Sequence, residues 1–316
     1  MDINKLLIIY FSVAHFQLFS QGFETQKKFA LNDEIIFTDF INNSKNLDGF
    51  SSHYHSTYTY YDLYLDSDNN DLFKMNYSLR FRKRTINDSL ENYTFQLKDE
   101  MNIKKAIRME VEEKELDFYN VKHNGEWIPL TNVLDTIFNL HNKSLNNEDS
   151  ISYLQNLNLI SQWIEIKANA PIAPFQKLRS IDSLIFNELK VKNFSPVLIG
   201  SSVRIRGHIY IDSTKTANEK IQLNRASKKN TPLFFQENKK LNWLFESSLD
   251  NSFFIYLKNN KTIRIKEYEV ENKFINSIKG QQLLTKYEEI ISEKLGFYIK
   301  YDSKYKQSIQ YFNNKE

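Results

Sequence analysis

Residues 261–274, KTIRIKEYEVENKF, alternate polar and apolar side chains. In an extended strand, side chains two apart share a face, so Glu267, Glu269, Glu271 and Lys273 fall together. Three carboxylates and an ammonium on one strand face are costly in a sheet that packs on an apolar core. They fit a wet cavity that holds a cation, because like charges this close repel unless a counter-charge sits among them. The fold must therefore keep one face of this strand away from its core, and other strands must share the cavity.

Several segments repeat the design. YSLRFRKR, residues 77–84, sets Leu79 and Phe81 against Arg80, Arg82 and Arg84. YTFQLKDE places Phe95 and Leu97 opposite Thr94, Gln96 and Lys98, and its spacing suits a hairpin partner. AIRMEVEEKEL opposes Ile107, Met109 and Val111 to Arg108, Glu110 and Glu112, and SSVRIRGHIYID opposes Val203, Ile205, Ile209 and Ile211 to Arg204, Arg206, His208 and Tyr210. GFETQKKFAL is a weaker copy with Glu24, Gln26 and Lys28, and WLFESSLD offers Glu246 and Asp250. One exposed sheet face would also alternate. Segregation by sign and the choice of Arg over Lys favour a polyanion site, since guanidiniums offer planar bidentate donors to phosphate oxygens. Repeated over several strands, the pattern predicts a barrel with a charged interior, because closing a sheet puts every second residue inside.

SHYHSTYTYYDLYLD, residues 52–66, is a further strand, with His53, His55, Thr57, Thr59 and Tyr61 expected on one face. Two alternate histidines can bind a metal, but no third ligand is spaced nearby, so they are taken as sheet residues. Ser67–Asp71 is a turn without the spacing or glycine of a calcium loop. A short helix is expected over Asp33–Asn43. From about 117 to 193 the strand rhythm gives way to a helical insertion, with helices near Thr131–Leu140, Ile151–Ile160 and Pro174–Leu189 that cover the barrel, and QWIEIKANAP is a possible extra strand. Residues 213–241 are expected to form a long polar loop or irregular hairpin, and SIKGQQLLTKYEEIISEKLGF an amphipathic helix stopped by Gly296.

Composition narrows the chemistry. With 41% hydrophobic and 14% aromatic residues, 316 residues can build a real core. Lys+Arg 42 against Asp+Glu 39 gives +3, which does not mark a nucleic-acid binder. Seven glycines and no glycine-rich phosphate-loop pattern mean that any phosphate recognition comes from side chains. The absence of cysteine excludes disulfides, thiolate metal sites and cysteine nucleophiles. Residues 1–22 read as an export signal, which makes the protein periplasmic or secreted, or membrane-anchored if the signal is retained. The apolar run is shorter than the roughly 20 residues of a spanning helix, and no other segment is apolar enough to span.

Taken together, the motifs resemble the CYTH superfamily, the triphosphate tunnel metalloenzymes, over nearly all of residues 23–316. GFETQKKF resembles the ExExKF strand, YYD and SLRFR the tyrosine-aspartate and LRxR strands, YTFQLK the TxxLK strand and IRMEVE the RxExE strand. SVRIRGHIY, LFESSLD and KEYEVE are similar to the later arginine, aspartate and ExE strands, and SKYKQSI to the SKY tail of the polyphosphate polymerase branch. The resemblance implies an α+β fold, an antiparallel eight-stranded β-barrel that holds a triphosphate and divalent cations. It implies that Glu24, Glu110, Glu112, Asp250, Glu269 and Glu271 hold Mg2+ or Mn2+. Lys28, Arg80, Arg82, Lys98, Arg108, Arg204 and Arg206 would bind the polyanion. Of these, Lys28, Arg80, Arg82 and Arg108 take the catalytic role of stabilising charge at the reacting phosphoryl group.

Gln26 departs from the pattern, standing where the family has its second glutamate and removing one anionic ligand. The leading expectation is a metal-dependent hydrolase of inorganic tripolyphosphate or a nucleoside triphosphate, with polyphosphate synthesis as a variant suggested by the SKY tail. The rival is a non-catalytic exported module that binds polyphosphate or another polyanion. An ordinary β protein with charged surface faces does not explain the ordered arginine and glutamate pairs.

Overall fold

Strict alternation leaves each strand with one apolar and one polar face, and the fold must cover the first while gathering the second. The computed structural model describes residues 22–31, 36–86, 89–99, 107–141, 147–181, 193–212, 235–236, 239–272, 278–299 and 302–314. The expected leader and Lys273 lie outside these residues, as does nearly all of the 213–241 loop.

Eight strands carry the design: β1 (Gly22–Ala30), β2 (Phe50–Asp66), β3 (Tyr77–Ile86), β4 (Ser89–Asp99), β5 (Ile107–Glu113), β6 (Ser195–Asp212), β7 (Lys239–Tyr256) and β8 (Thr262–Asn272). All pair antiparallel, in the order β1–β5–β4–β3–β2–β6–β7–β8. β8 pairs in turn with β1, so the path of hydrogen bonding returns to its first strand. The molecule is thus of the α+β class, built on one large antiparallel sheet.

Helices cover the apolar outer face. α1 (Phe37–Ser44) and α5 (Ile278–Leu295) pack on β1 and β6–β8, where Phe40, Leu284, Tyr287 and Ile291 meet Phe29, Ile209, Phe245, Leu249 and Tyr268. Between β5 and β6 the described residues include the small hairpin Asn120–His123/Glu126–Pro129 and the α-helices α2 (Leu130–His141), α3 (Asn147–Lys167) and α4 (Ala173–Ile181). Leu134, Phe138, Trp163 and Phe175 from these helices bury Leu63, Phe81, Phe95 and Leu97 of β2–β4. The described helices of this segment thus cover the sheet, while residues 182–189 of the third expected helix lie outside the described residues. QWIEIKANAP is not a strand: its residues up to Lys167 end α3, whose helical register buries Trp163 and Ile164 and leaves Ile166 exposed.

The C-terminal segment that looks like a loose tail is ordered. Tyr298–Ile299 pairs with β1, and α6 (Lys304–Asn313) seats Tyr305, Ile309 and Phe312 against Tyr64, Leu198, Phe254 and Tyr256. Ser303 caps α6 by accepting from the Lys306 amide. Asp66 fixes its start to the end of β2, accepting from the Tyr305 hydroxyl at 2.6 Å and from the Leu72 and Phe73 amides.

Candidate functional site

Register brings the charged faces together. Lys28 on β1 is opposite Glu269 on β8, Glu269 is opposite Ser248 on β7, and Ser248 is opposite Arg206 on β6. On the other flank Asp62 faces Arg82, Arg82 faces Thr94, Gln96 faces Glu112 and Lys98 faces Glu110. Of these, Lys28, Arg82, Thr94, Gln96, Lys98, Glu110, Glu112, Arg206 and Glu269 line a cavity of about 270 Å³. Cations dominate its wall: Lys28, Arg80, Arg82, Arg84, Lys98, Lys114, Arg204, Arg206 and Lys304 against Glu110, Glu112, Glu269 and Glu271.

The arginines are held in place without a ligand. Asp62 accepts from Arg82 through both oxygens, at 2.6 and 2.7 Å, and lies 3.5 Å from Arg80. Asp250 does the same for Arg204, at 2.7 and 2.6 Å, and also accepts from Lys304 at 2.6 Å. Burial alone would raise both carboxyls, but the adjacent cations prevail and hold Asp62 at about 2 and Asp250 well below the usual carboxylate range. Glu110 behaves alike: burial opposes its charge, yet Lys98 and Arg80 bring it down to about 2. Arg204 also reaches Glu269 at 3.2 Å, Arg206 pairs with Glu246 at 2.8 Å, and Gln96 bridges Arg80 to Glu112.

Tyrosines stand between the two arginine strands. The Tyr60 ring has Arg82 at 4.5 Å and Arg204 at 5.5 Å, and Tyr58 has Arg84 and Arg206 each at 5.6 Å. A ring face is attractive to a guanidinium, so each tyrosine separates two like charges that would otherwise repel. Arg80 lies over Tyr64 at 5.7 Å and donates to its hydroxyl at 3.0 Å.

Lys28, Arg80, Arg82, Lys98, Glu110, Glu112, Arg204, Arg206, Glu269 and Glu271 thus line one cavity, as their spacing predicts. Glu24 is paired in register with Arg108, and Gln26 with Glu271, but the side chains of Glu24, Gln26 and Arg108 lie outside the described residues. Asp250 is fully buried behind the wall, with its oxygens taken by Arg204 and Lys304. Glu267 is also fully buried, accepting from Gln307 of α6 at 2.6 Å. No group of three His, Asp or Glu side chains is close enough to hold a metal among the described residues.

The site set implied by the resemblance omits Arg84, Asp62, the tyrosines and Lys304, although Arg84 stands on the charged face with Arg80 and Arg82, Tyr60 and Asp62 fall in the YYD motif and Lys304 falls in the SKY motif. Nothing in the local sequence of Lys304 shows that α6 returns to the cavity. The expectation that His53, His55, Thr57, Thr59 and Tyr61 share a face fails at a bulge between Tyr54 and Ser56, which shifts the register. Beyond it Tyr58, Tyr60 and Asp62 face the arginines, whereas Tyr61 packs outside on Phe138.

The strands whose motifs resemble the CYTH superfamily are neighbours, and their charged faces meet in one cavity. No family model matches the chain, and no curated protein matches it in sequence. Among solved structures it is similar to the Hippeastrum protein HpAC1, an adenylyl cyclase candidate described with a dominant triphosphatase activity, at 12% identity and a TM-score of 0.42 over 90% of this chain and 95% of that one. It is similar to the PH1819 protein of Pyrococcus horikoshii OT3 at 13% identity and a TM-score of 0.40, over 91% and 98% of the two chains. A provisionally assigned adenylate cyclase of Bacillus halodurans gives 13% and 0.44 over 91% and 97%.

Proposed function

We propose that the sheet acts as an eight-stranded tunnel barrel and that the protein is a metal-dependent hydrolase of triphosphate-containing substrates. The observation that carries this reading is the cavity wall, in which nine cations and four carboxylates from separate elements of the fold converge. Closure into a barrel is supported by the pairing path that returns from β8 to β1.

The cations would bind and orient the chain of phosphates, and Arg80, Arg82 and Lys28 would stabilise charge developing on the terminal phosphoryl oxygens. Glu269 and Glu271 on β8 and Glu110 and Glu112 on β5 are oxygen donors facing that chain, with Glu24 the further candidate. Such a set suits Mg2+ or Mn2+, since Mg2+ is commonly held by one or two carboxylates together with substrate phosphates. When bound, the ion would supply charge neutralisation and activation of water for hydrolysis. Asp250 is better assigned as the anchor of Arg204 and Lys304 than as a ligand.

Inorganic tripolyphosphate is the favoured substrate. Among the described residues no aliphatic side chain lines the cavity; of its rings, Tyr60 is engaged by Arg82 and Arg204, Tyr64 by Arg80, and Tyr305 is stacked on Tyr64. A nucleobase would find no apolar wall there. A polyanion-binding role without turnover is the second reading, favoured by Gln26 opposite Glu271 in the strand register. Polyphosphate synthesis rests only on the SKY tail. No helix among the described residues is long and apolar enough to cross a membrane; export by residues 1–22 is proposed from the sequence alone.

Phosphate release from tripolyphosphate and ATP, measured with Mg2+, Mn2+ or EDTA, tests the reading. Metal-dependent turnover lost in Glu269→Gln and Glu271→Gln supports the hydrolase. Tight binding of tripolyphosphate without turnover supports the binder. Absence of both binding and turnover would sink the tunnel reading.

A further inference from the structure

The hydrolase reading leaves His53, His55 and His208 unused, and they cluster just beyond Arg206 of the cavity wall. At the other end α6 contributes Ser303, Lys304 and Tyr305, and the side chains of Lys304 and Arg80 are only 11% and 7% exposed. Where the histidines lie, Arg206 is 30% exposed, and Lys114 on the same wall is 61% exposed, so the cavity reaches solvent.

Along β6 the row Arg204, Arg206 continues at His208, roughly 7 Å further along the strand. Glu246, which lines an adjoining cleft with Arg206, is the β7 partner of His208. On the other side lies the β2 bulge. Tyr54 pairs with Gly207 and Ser56 with Arg206, leaving His55 as the extra residue. A bulge re-aims a side chain, and here the His55 ring comes to 4.5 Å from that of His208. Gly207 permits the approach: a Cβ at that position would come 2.7 Å from the His53 carbonyl oxygen and 2.9 Å from the Tyr54 ring. Hydroxyls orient both imidazoles through Nδ1, Ser56 Oγ at 2.9 Å from His55 and Tyr210 Oη at 3.4 Å from His208. His53 stands edge-on to Tyr210 beside them.

We propose that His55 and His208 form a further anion-binding rung at the solvent end of the cavity, taking phosphate groups of a linear polyphosphate chain that extends past Arg84 and Arg206. The proposal rests on the reading of the cavity as a polyanion site and lengthens it. The groups facing the rung are Arg206 from β6, Glu246 from β7 and His53 from β2. Without a ligand, burial and then the neighbouring His55 push His208 down to about 4, while burial and then Arg206 lower His55 against the pull of Glu246. Both rings are then neutral near pH 7. A phosphate beside them favours the charged form, so binding takes up protons and tightens as pH falls.

Calorimetric titration of the full chain in EDTA, with tripolyphosphate and with a linear polyphosphate several units longer, tests this. The longer chain is expected to bind roughly tenfold more tightly at about pH 5.5, a difference of about 1.4 kcal/mol, and the gap should narrow towards about pH 8. His208→Gln and, separately, His55→Gln should close the gap and remove the proton uptake seen in buffers of different ionisation enthalpy, with tripolyphosphate affinity as in the parent. Tripolyphosphate binding with a gap that neither variant changes overturns the rung alone. Absence of tripolyphosphate binding by the parent protein overturns the cavity reading, and the rung with it.

Discussion

Asp250 and Arg204 face each other across paired positions of β7 and β6, and the one guanidinium takes both carboxylate oxygens, at 2.7 and 2.6 Å. Asp62 and Arg82 repeat this geometry across β2 and β3, at 2.6 and 2.7 Å. The two pairs flank Tyr60, whose ring lies between the arginines. A wall of this kind is set before an anion arrives, so little ordering remains to oppose binding.

Asp250→Asn leaves Arg204 and Lys304 without their buried counter-charge. Breaking a buried pair from one side costs about 3–5 kcal/mol, and urea denaturation should show a loss of that order together with weaker tripolyphosphate binding.

Stability should also fall in acid through Asp62. Its folded carboxyl is held at about 2, below the ordinary value of about 3.9 for an unfolded aspartate. The contribution, on the order of 2 kcal/mol, is therefore complete above about pH 4 and lost as pH falls towards about 2. Denaturant midpoints measured down that range should drop less in Asp62→Asn than in the parent.

Tyr60 should matter through its ring. Tyr60→Phe keeps the surface between Arg82 and Arg204 and should bind tripolyphosphate within about twofold of the parent, whereas Tyr60→Leu should weaken binding by about tenfold. Equal losses in both variants would assign the effect to the hydroxyl.

Glu267 is fully buried and depends on Gln307 of α6, its donor at 2.6 Å. Gln307→Leu should cost about 1–3 kcal/mol in urea unfolding. Gln310→Leu, three residues on in α6, should stay within about 0.5 kcal/mol.

Gln26 lies across from Glu271 in register. If carboxylate count limits metal binding, Gln26→Glu should lower the Mn2+ concentration needed for half-maximal turnover by roughly tenfold. An unchanged metal dependence would remove position 26 from the site.

Alternation alone specified the strands at Tyr77–Ile86, Ser89–Asp99 and Thr262–Asn272, because the two-residue period assigns each side chain to a face whatever lies beyond it. It thereby put Arg80, Arg82, Lys98, Glu269 and Glu271, and Arg204 and Arg206 of the later strand Ser195–Asp212, on charged faces, and these residues line one cavity. Tertiary structure alone decided which carboxylates stay on the wall and which sit behind it. Asp250 and Glu269 are equally good ligands in sequence, but Asp250 is enclosed by Arg204 of β6 and Lys304 of α6, and Glu269 faces the cavity. Periodicity also could not reveal the one-residue bulge in β2, which turns Tyr58 and Tyr60 towards the arginines and His55 towards His208. These outcomes depend on register and on contacts between distant segments, such as Asp66 with Tyr305 and Asp250 with Lys304, which a local pattern does not encode.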